Sequence, residues 1–315
     1  MGKRLGIVFA AATGVIWGGQ WVIGKSALTR IDAFNLTTLR YAAASAVLLA
    51  ALAVVEGRAA LRLDGQGLRL FALGTLGFAG FNLLGYEGLA HARPESAALV
   101  TALGPLLMAL LLWGLGRGRP SRGTVAALGA AVAGVLLVIS RGDPAAVFTG
   151  AVGWGDLLVL GGVASFVAYT VGVRSVRGFS PLRYTALTAA LGWISIAAAT
   201  VAADAAGAAH VPSAADVGAV LPQLAYISLL GAVVAVTTWN VAAQRIGPQN
   251  TALFANVMPV TTFAIEIARG YRPGDVELAG AGLTIAALVG ANLAGRGLRY
   301  RFARGKASQP GYAAP

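Results

Sequence analysis

Residues 81–110 read FNLLGYEGLAHARPESAALVTALGPLLMAL, and residues 235–264 read AVTTWNVAAQRIGPQNTALFANVMPVTTFA. Each begins with an apolar segment carrying an aromatic or polar pair (Gly85-Tyr86, Trp239-Asn240), followed by a short hydrophilic hinge closed by proline (Pro94, Pro248). A second apolar segment follows, broken by another proline (Pro105, Pro259). The two copies lie 154 positions apart. An internal repeat fixes architecture before any other signal does. Each copy is two apolar spans joined by a tight polar connection.

Composition places those spans in a membrane. Of 315 residues, 57% are hydrophobic and 11% charged, against about 25% charged in an ordinary soluble domain. Mean hydropathy is +0.74. A net charge of +12 would suit nucleic acid if the basic residues shared one face with aromatics, but here they lie between apolar runs. With no cysteine, disulfides, thiolate metal sites and cysteine nucleophiles are excluded. His91 and His210 fall at or beyond span ends, so neither a metal nor any other cofactor is expected, and no partner is expected beyond a small solute and the lipid bilayer.

A hydrocarbon core of ~30 Å needs roughly 20 apolar residues. Ten runs meet that length: 5–24, 33–55, 70–90, 96–116, 123–140, 153–173, 182–203, 217–244, 248–267 and 278–295. They predict an all-α integral membrane protein of ten transmembrane helices, built as two inverted five-helix repeats. The first repeat covers 1–140 and the second 153–295, with a linker at 141–152 and a basic tail at 296–315.

Cytoplasmic loops retain Lys and Arg. With the N-terminus inside, that side collects Lys3, Arg4, Arg58, Arg62, Arg69, Arg117, Arg119, Arg122, Arg174, Arg177, Arg183, Arg245 and the tail's basic residues. The other side has only Lys25, Arg30, Arg93, Arg141, Arg269 and Arg272. Both termini are therefore expected to be cytoplasmic. Five spans per half, an odd number, send the second copy in from the opposite side. Inverted repeats of this kind mark alternating-access carriers with a site near the midplane between the halves. The early parts agree as well, since Trp17, Gln20, Trp21 and Lys25 precede Phe166, Tyr169, Thr170 and Arg174 by a constant 149 positions.

The chain resembles the drug/metabolite transporter superfamily, specifically its tandem EamA-type domains. The resemblance covers residues 5 to 295. It is carried by the Trp17-Gly18-Gly19-Gln20-Trp21 opening, Arg40 in the second span, the hinges from Ala90 to Pro105 and Gln244 to Pro259, and the segment from Ala168-Tyr169-Thr170 to Arg174. It implies a non-enzymatic exporter of small metabolites, amino acids foremost, in the cell inner membrane. Gln20-Trp21 stands where many relatives carry a smaller polar residue and Phe.

Two motif matches have blander explanations. Gly19 to Ser26 satisfies G-x4-G-K-S, but a phosphate loop follows a strand and opens a helix, whereas this one closes a membrane span. Asn35-Leu36-Thr37 fits a glycosylation sequon and abuts a span. Gly14 and Gly18 have the spacing of small residues that let helices pack closely in lipid.

Polar and aromatic side chains within spans are the binding candidates. Trp17, Gln20, Trp21 and Gly24 share one helix face by their i, i+3, i+4, i+7 spacing, and Gln20 should turn that face inward. Asn82 and Tyr86 are one turn apart on the third span. Trp239 and Asn240 on the eighth, Tyr169 on the sixth, Thr101 on the fourth and Asn256 on the ninth complete the set. They are expected to form two walls of one central cavity suited to an apolar or aromatic substrate. Pro105 and Pro259 should kink their helices and serve as gating hinges. Arg40 and Glu87 lie deep enough that an isolated charge would cost several kcal/mol, so they are expected to pair with each other, snorkel or couple protons. Asp156 and Glu266, near span ends, are expected to be solvated. A channel or structural membrane protein is the alternative; an intramembrane enzyme would need a nucleophile with a base or a metal cluster, which the spans do not offer. Ten helices suffice for a monomer.

Overall fold

The computed structural model describes residues 2–116, 122–141, 143, 153–172, 175–246, 251, 253–287 and 289–290. Among these residues the elements are helical, with no strand. The main helices are α1 (Gly2–Ala27), α2 (Ala33–Val55), α3 (Gly67–His91), α4 (Pro94–Gly114), α5 (Arg122–Ile139), α6 (Trp154–Gly172) and α7 (Pro181–Ala205). They continue as α8 (221–246), α9 (253–268) and α10 (275–287). Seven of them, α1 to α4 and α6 to α8, are long and apolar enough to cross a membrane, and α5 and α9 are shorter apolar helices. Large apolar side chains such as Val54, Leu68 and Val201 stand exposed on the surface, as a lipid-facing surface requires. The chain is a multi-pass membrane protein.

Polar caps set several boundaries more tightly than hydropathy could. Asp32 accepts from the amides of Phe34 and Asn35 to start α2, and Ser180 accepts from Arg183 ahead of Pro181 to start α7. An N-terminal oxygen of this kind satisfies amides that no carbonyl of the helix can reach. The eighth predicted span resolves into a short helix, Ala214–Ala219, and α8 proper, separated at Val220 just before Pro222. Most of the predicted linker, Arg174, Pro248, the end of the tenth span and the basic tail lie outside the described residues.

The halves run in opposite directions. Lys25, at the end of α1, donates to the carbonyls of Leu89 and Ala90 at the end of α3. Gly155, at the start of α6, packs against His91 at that same end. So α6 begins where α1 finishes. Pairings follow the same exchange: α1 lies along α8 as α6 lies along α3, α1 crosses α9 as α6 crosses α4, and α2 packs on α7.

Two irregularities also recur. In α3 the segment Thr75–Gly80 is π-helical, and in α8 the segment Tyr226–Val234 is. In α4 the helix breaks at Leu103 between Pro94–Ala102 and Gly104–Gly114. In α9 a 3-10 turn, Leu253–Asn256, precedes Val257–Ala268. Pro105 and Pro259 thus sit in the first turn of a new helix rather than at a kink inside a continuous one, where the missing N–H is no loss.

Candidate functional site

Arg40 is the centre of the site. It is buried (2% exposed) in α2. Its Nε donates to the carbonyl of Ile227 in the π segment of α8 at 2.9 Å. One terminal nitrogen donates to Asn82 Oδ1 (2.8 Å) and to the Tyr86 hydroxyl (3.1 Å), and the other to Gln20 Oε1 (2.9 Å). The guanidinium also lies over the rings of Tyr41 and Tyr86, 5.1 and 5.3 Å from their centroids. One side chain therefore joins α1, α2 and α3 of the first half to α8 of the second.

The expected pairing of Arg40 with Glu87 is not made. Asn82 and Tyr86 are one turn apart and face Arg40, whereas Glu87, the next residue, is turned about 100° around α3. Glu87 meets His91 at 3.2 Å on a partly exposed surface instead. Asp156 is likewise not solvated: it is buried and accepts a 2.6 Å hydrogen bond from Ser96. Glu266 pairs with Arg269.

The α1 face points inward, with Gln20 and Trp21 buried. A Cβ on Gly24 would press on the Tyr86 ring at 2.8 Å, and the Trp21 ring tip reaches Gly85. Trp17 donates its indole N–H to the Gly231 carbonyl at 3.0 Å and touches Trp239, ring centroids 5.2 Å apart. Ile227 and Gly231 both lie in the π segment, whose wider turn leaves carbonyls for side chains to use; such bulges are frequent at functional sites.

The remaining candidates have other partners. Tyr169 stacks on Tyr184 and meets Phe78 and Phe166 edge-on or tilted. Asn240 donates to Thr185 on α7. Thr101 bonds back to the Ala97 carbonyl, and Asn256 is buried at the start of Val257–Ala268. The sequence reading missed Tyr41, whose hydroxyl accepts from Asn82 at 3.1 Å, and Gly231. The inverted repeat carries the signal for Gly231: at its counterpart Gly77, a Cβ would strike Tyr169, as one at Gly231 would strike Gln20. The same close approach is filled by an aromatic ring in one half and by an amide in the other.

Both motif matches fail in the structure. Gly19 to Ser26 is continuous α-helix, with Lys25 bound to backbone carbonyls. The Asn35 amide is buried and donates to Asp32 and Asp204.

At the Lys25 end, an ionic cluster ties the halves together. Arg93 reaches Glu277 at 2.8 Å, Glu95 at 3.1 Å and the Val138 carbonyl at 2.8 Å. Tyr271 donates to Glu277, and Gly274 N–H supports its second oxygen. Burial pushes the Glu277 carboxyl up, but the hydrogen bonds from Arg93, Gly274 and Tyr271 outweigh it and hold it below the ordinary 4.5. The same burial, with Glu277 beside it, raises the Tyr271 phenol to about 12. A depressed acid stabilises above its unfolded value and loses that stabilisation as pH falls through its folded one. In thermal unfolding, the contribution of Glu277 should be complete above about pH 4.5 and fade below it. Glu277→Gln should cost about 1–2 kcal/mol at neutral pH, between the values of exposed and buried ion pairs, and flatten that acid limb.

Two inverted halves meeting at a buried polar cluster are the architecture of a multi-pass membrane transporter. The model of the EamA-like transporter family matches residues 4–140 and 153–293, and the chain belongs to that family. It is 27% identical over 293 residues to the uncharacterized transporter YrdR of Bacillus subtilis (strain 168), covering 90% of each chain. To the uncharacterized transporter YyaM of the same organism it is 30% identical over 273 residues, covering 86% of this chain and 88% of that one. A solved structure titled "Crystal structure of protein" shares the fold, with a TM-score of 0.63 at 20% identity, covering 94% of this chain and 98% of that one.

Proposed function

We propose that the protein exports small metabolites, amino acids with apolar or aromatic side chains foremost, across the cell inner membrane by alternating access between its halves. In this reading ten spans, 1–140 and 153–295 in two sets of five, place both termini in the cytoplasm, and a monomer is the working unit. The observation that carries it is the meeting of Trp17 from the first half with Trp239 from the second, directly beside the polar cluster at Arg40. Parting of the halves would separate these rings, and a flat apolar side chain could take the place of one against the other. The Gln20, Asn82 and Tyr86 groups would receive the polar end, and the breaks before Pro105 and Pro259 would serve as hinges.

The test is counterflow in proteoliposomes: uptake of labelled phenylalanine driven by unlabelled phenylalanine inside. Saturable exchange is expected, and a pore would give none. Trp17→Ala and Trp239→Ala should each reduce exchange about tenfold, since losing an aromatic contact of about 1.4 kcal/mol corresponds to that factor. Unchanged exchange in both variants would remove these rings from the substrate path.

A further inference from the structure

Arg40 is a buried charge with no counter-ion among the described residues. Its four hydrogen bonds go to neutral acceptors, and among the described residues no carboxylate comes within 4.0 Å of it. The buried acids are engaged elsewhere, Glu95 and Glu277 with Arg93 and Asp156 with Ser96. Two tyrosine faces and four oxygens solvate the guanidinium without neutralising it. A charge held inside a membrane protein is expensive, and an anion beside it would be bound with little competition from water. Four of its five N–H groups have acceptors here, and the nitrogen that bonds Gln20 carries the fifth. That nitrogen lies 3.6 Å from where a Cβ on Gly231 would be, a place that the Gln20 amide already fills, so an incoming anion reaches this edge of the guanidinium by displacing the amide. Gln20 and Trp17 are one turn apart on α1, which sets the guanidinium beside the Trp17–Trp239 pair.

Resting on the carrier reading, we infer that Arg40 is the carboxylate-recognising residue and that the substrate is an aromatic or apolar carboxylate whose ammonium group is not needed. A carboxylate entering the site takes over the Gln20-facing edge of the guanidinium and makes the complex neutral. An ammonium finds no acid in this cluster, so a zwitterion gains nothing from it.

The experiment uses the full chain in detergent and in proteoliposomes with four probes: phenylalanine, 3-phenylpropionate, phenylalaninamide and phenethylamine. Binding is read by quenching of intrinsic tryptophan fluorescence, and exchange by competition with labelled phenylalanine. The two carboxylates should compete within about threefold of each other, and the amide and amine at least about tenfold more weakly. Gln20→Glu supplies a counter-ion from α1 with almost no change of shape. That variant should stay folded and lose at least about tenfold in affinity for both carboxylates, while the amide and the amine bind no more weakly than to the unaltered chain. Amine or amide competing as well as the acids, or full binding in Gln20→Glu, would overturn the inference and leave the carrier reading standing. No binding or exchange of any probe by folded wild-type protein would overturn both.

Discussion

Arg40→Met should cost the protein about 3 kcal/mol of stability, lowering its apparent melting temperature in detergent by roughly 10 °C. Methionine fills much of the volume but donates nothing. Gln20 Oε1, Asn82 Oδ1, the Tyr86 hydroxyl and the Ile227 carbonyl would all lose their donor at once. Each buried acceptor left unsatisfied costs on the order of 1–3 kcal/mol. Removing the charge returns part of that sum, because the guanidinium no longer has to be held away from water, and the Tyr86 hydroxyl can turn to donate. Arg40→Lys should fall between the two: the ammonium keeps the charge but has three donors and no planar fork, so it cannot serve α1, α3 and α8 together. Glu87→Gln is the control. Among the described residues it pairs with His91 on a partly exposed surface, and a change within about 0.5 kcal/mol is expected. A stability loss in Glu87→Gln matching that of Arg40→Met would mean that the acid acts on Arg40 in some way the static geometry does not contain.

That contrast shows what could be read from residue types and what could not. Arg40 was visible as a charge inside an apolar run, and Gln20, Asn82 and Tyr86 were visible as polar groups at helical spacing. Their union was not, because opposite charge suggested Glu87, and nothing in a linear sequence says which side of α3 turns toward α2. Neutral oxygens satisfied the guanidinium, where pairing with a carboxylate had been one of the expectations. The helices themselves were legible because apolar length is a direct physical requirement of the bilayer. The opposed direction of α1 and α6 was legible from an odd number of spans per repeat. The π segments of α3 and α8 were not, since an extra residue in a turn leaves no mark on composition; only the repeat, pairing Gly77 with Gly231, hinted that both helices accept a bulky neighbour at the same place. Asp156 was misread as solvated because closeness to a span end says nothing about the helix packed over it, and here Ser96 of α4 covers it.

Gly88→Val should be severely damaging at a helix crossing, because it strikes backbone that cannot move aside. Near the Lys25 end, α3 and α6 cross at Gly88 and Gly155. A Cβ on Gly88 would stand 2.5 Å from the Gly155 carbonyl oxygen and 2.9 Å from the Val159 amide nitrogen, and one on Gly155 would meet the Gly88 carbonyl in return. In lipid, helices are held by close packing rather than by escape from water, so separating this pair sacrifices the contact itself. Alanine at Gly88 should already cost about 1–3 kcal/mol, the range of overpacked interiors, and valine should leave little protein eluting as a single folded species. The inverted repeat supplies its own comparison. At the other end of the molecule α1 and α8 cross in the same way, and a Cβ on Gly6 would meet Ile246 Cγ2 at 2.8 Å and Arg245 Cβ at 3.0 Å. The isoleucine methyl can swing away by a rotamer change at modest cost, and Arg245 Cβ, at 3.0 Å, has to give by only a few tenths of an ångström. Gly6→Ala should therefore lose at most about 1 kcal/mol, less than Gly88→Ala at the mirrored crossing. Thermal unfolding of the two alanine variants side by side decides it: equal losses would mean that the α3–α6 seam relaxes as freely as its counterpart, and that the two halves are mechanically alike where their packing says they differ.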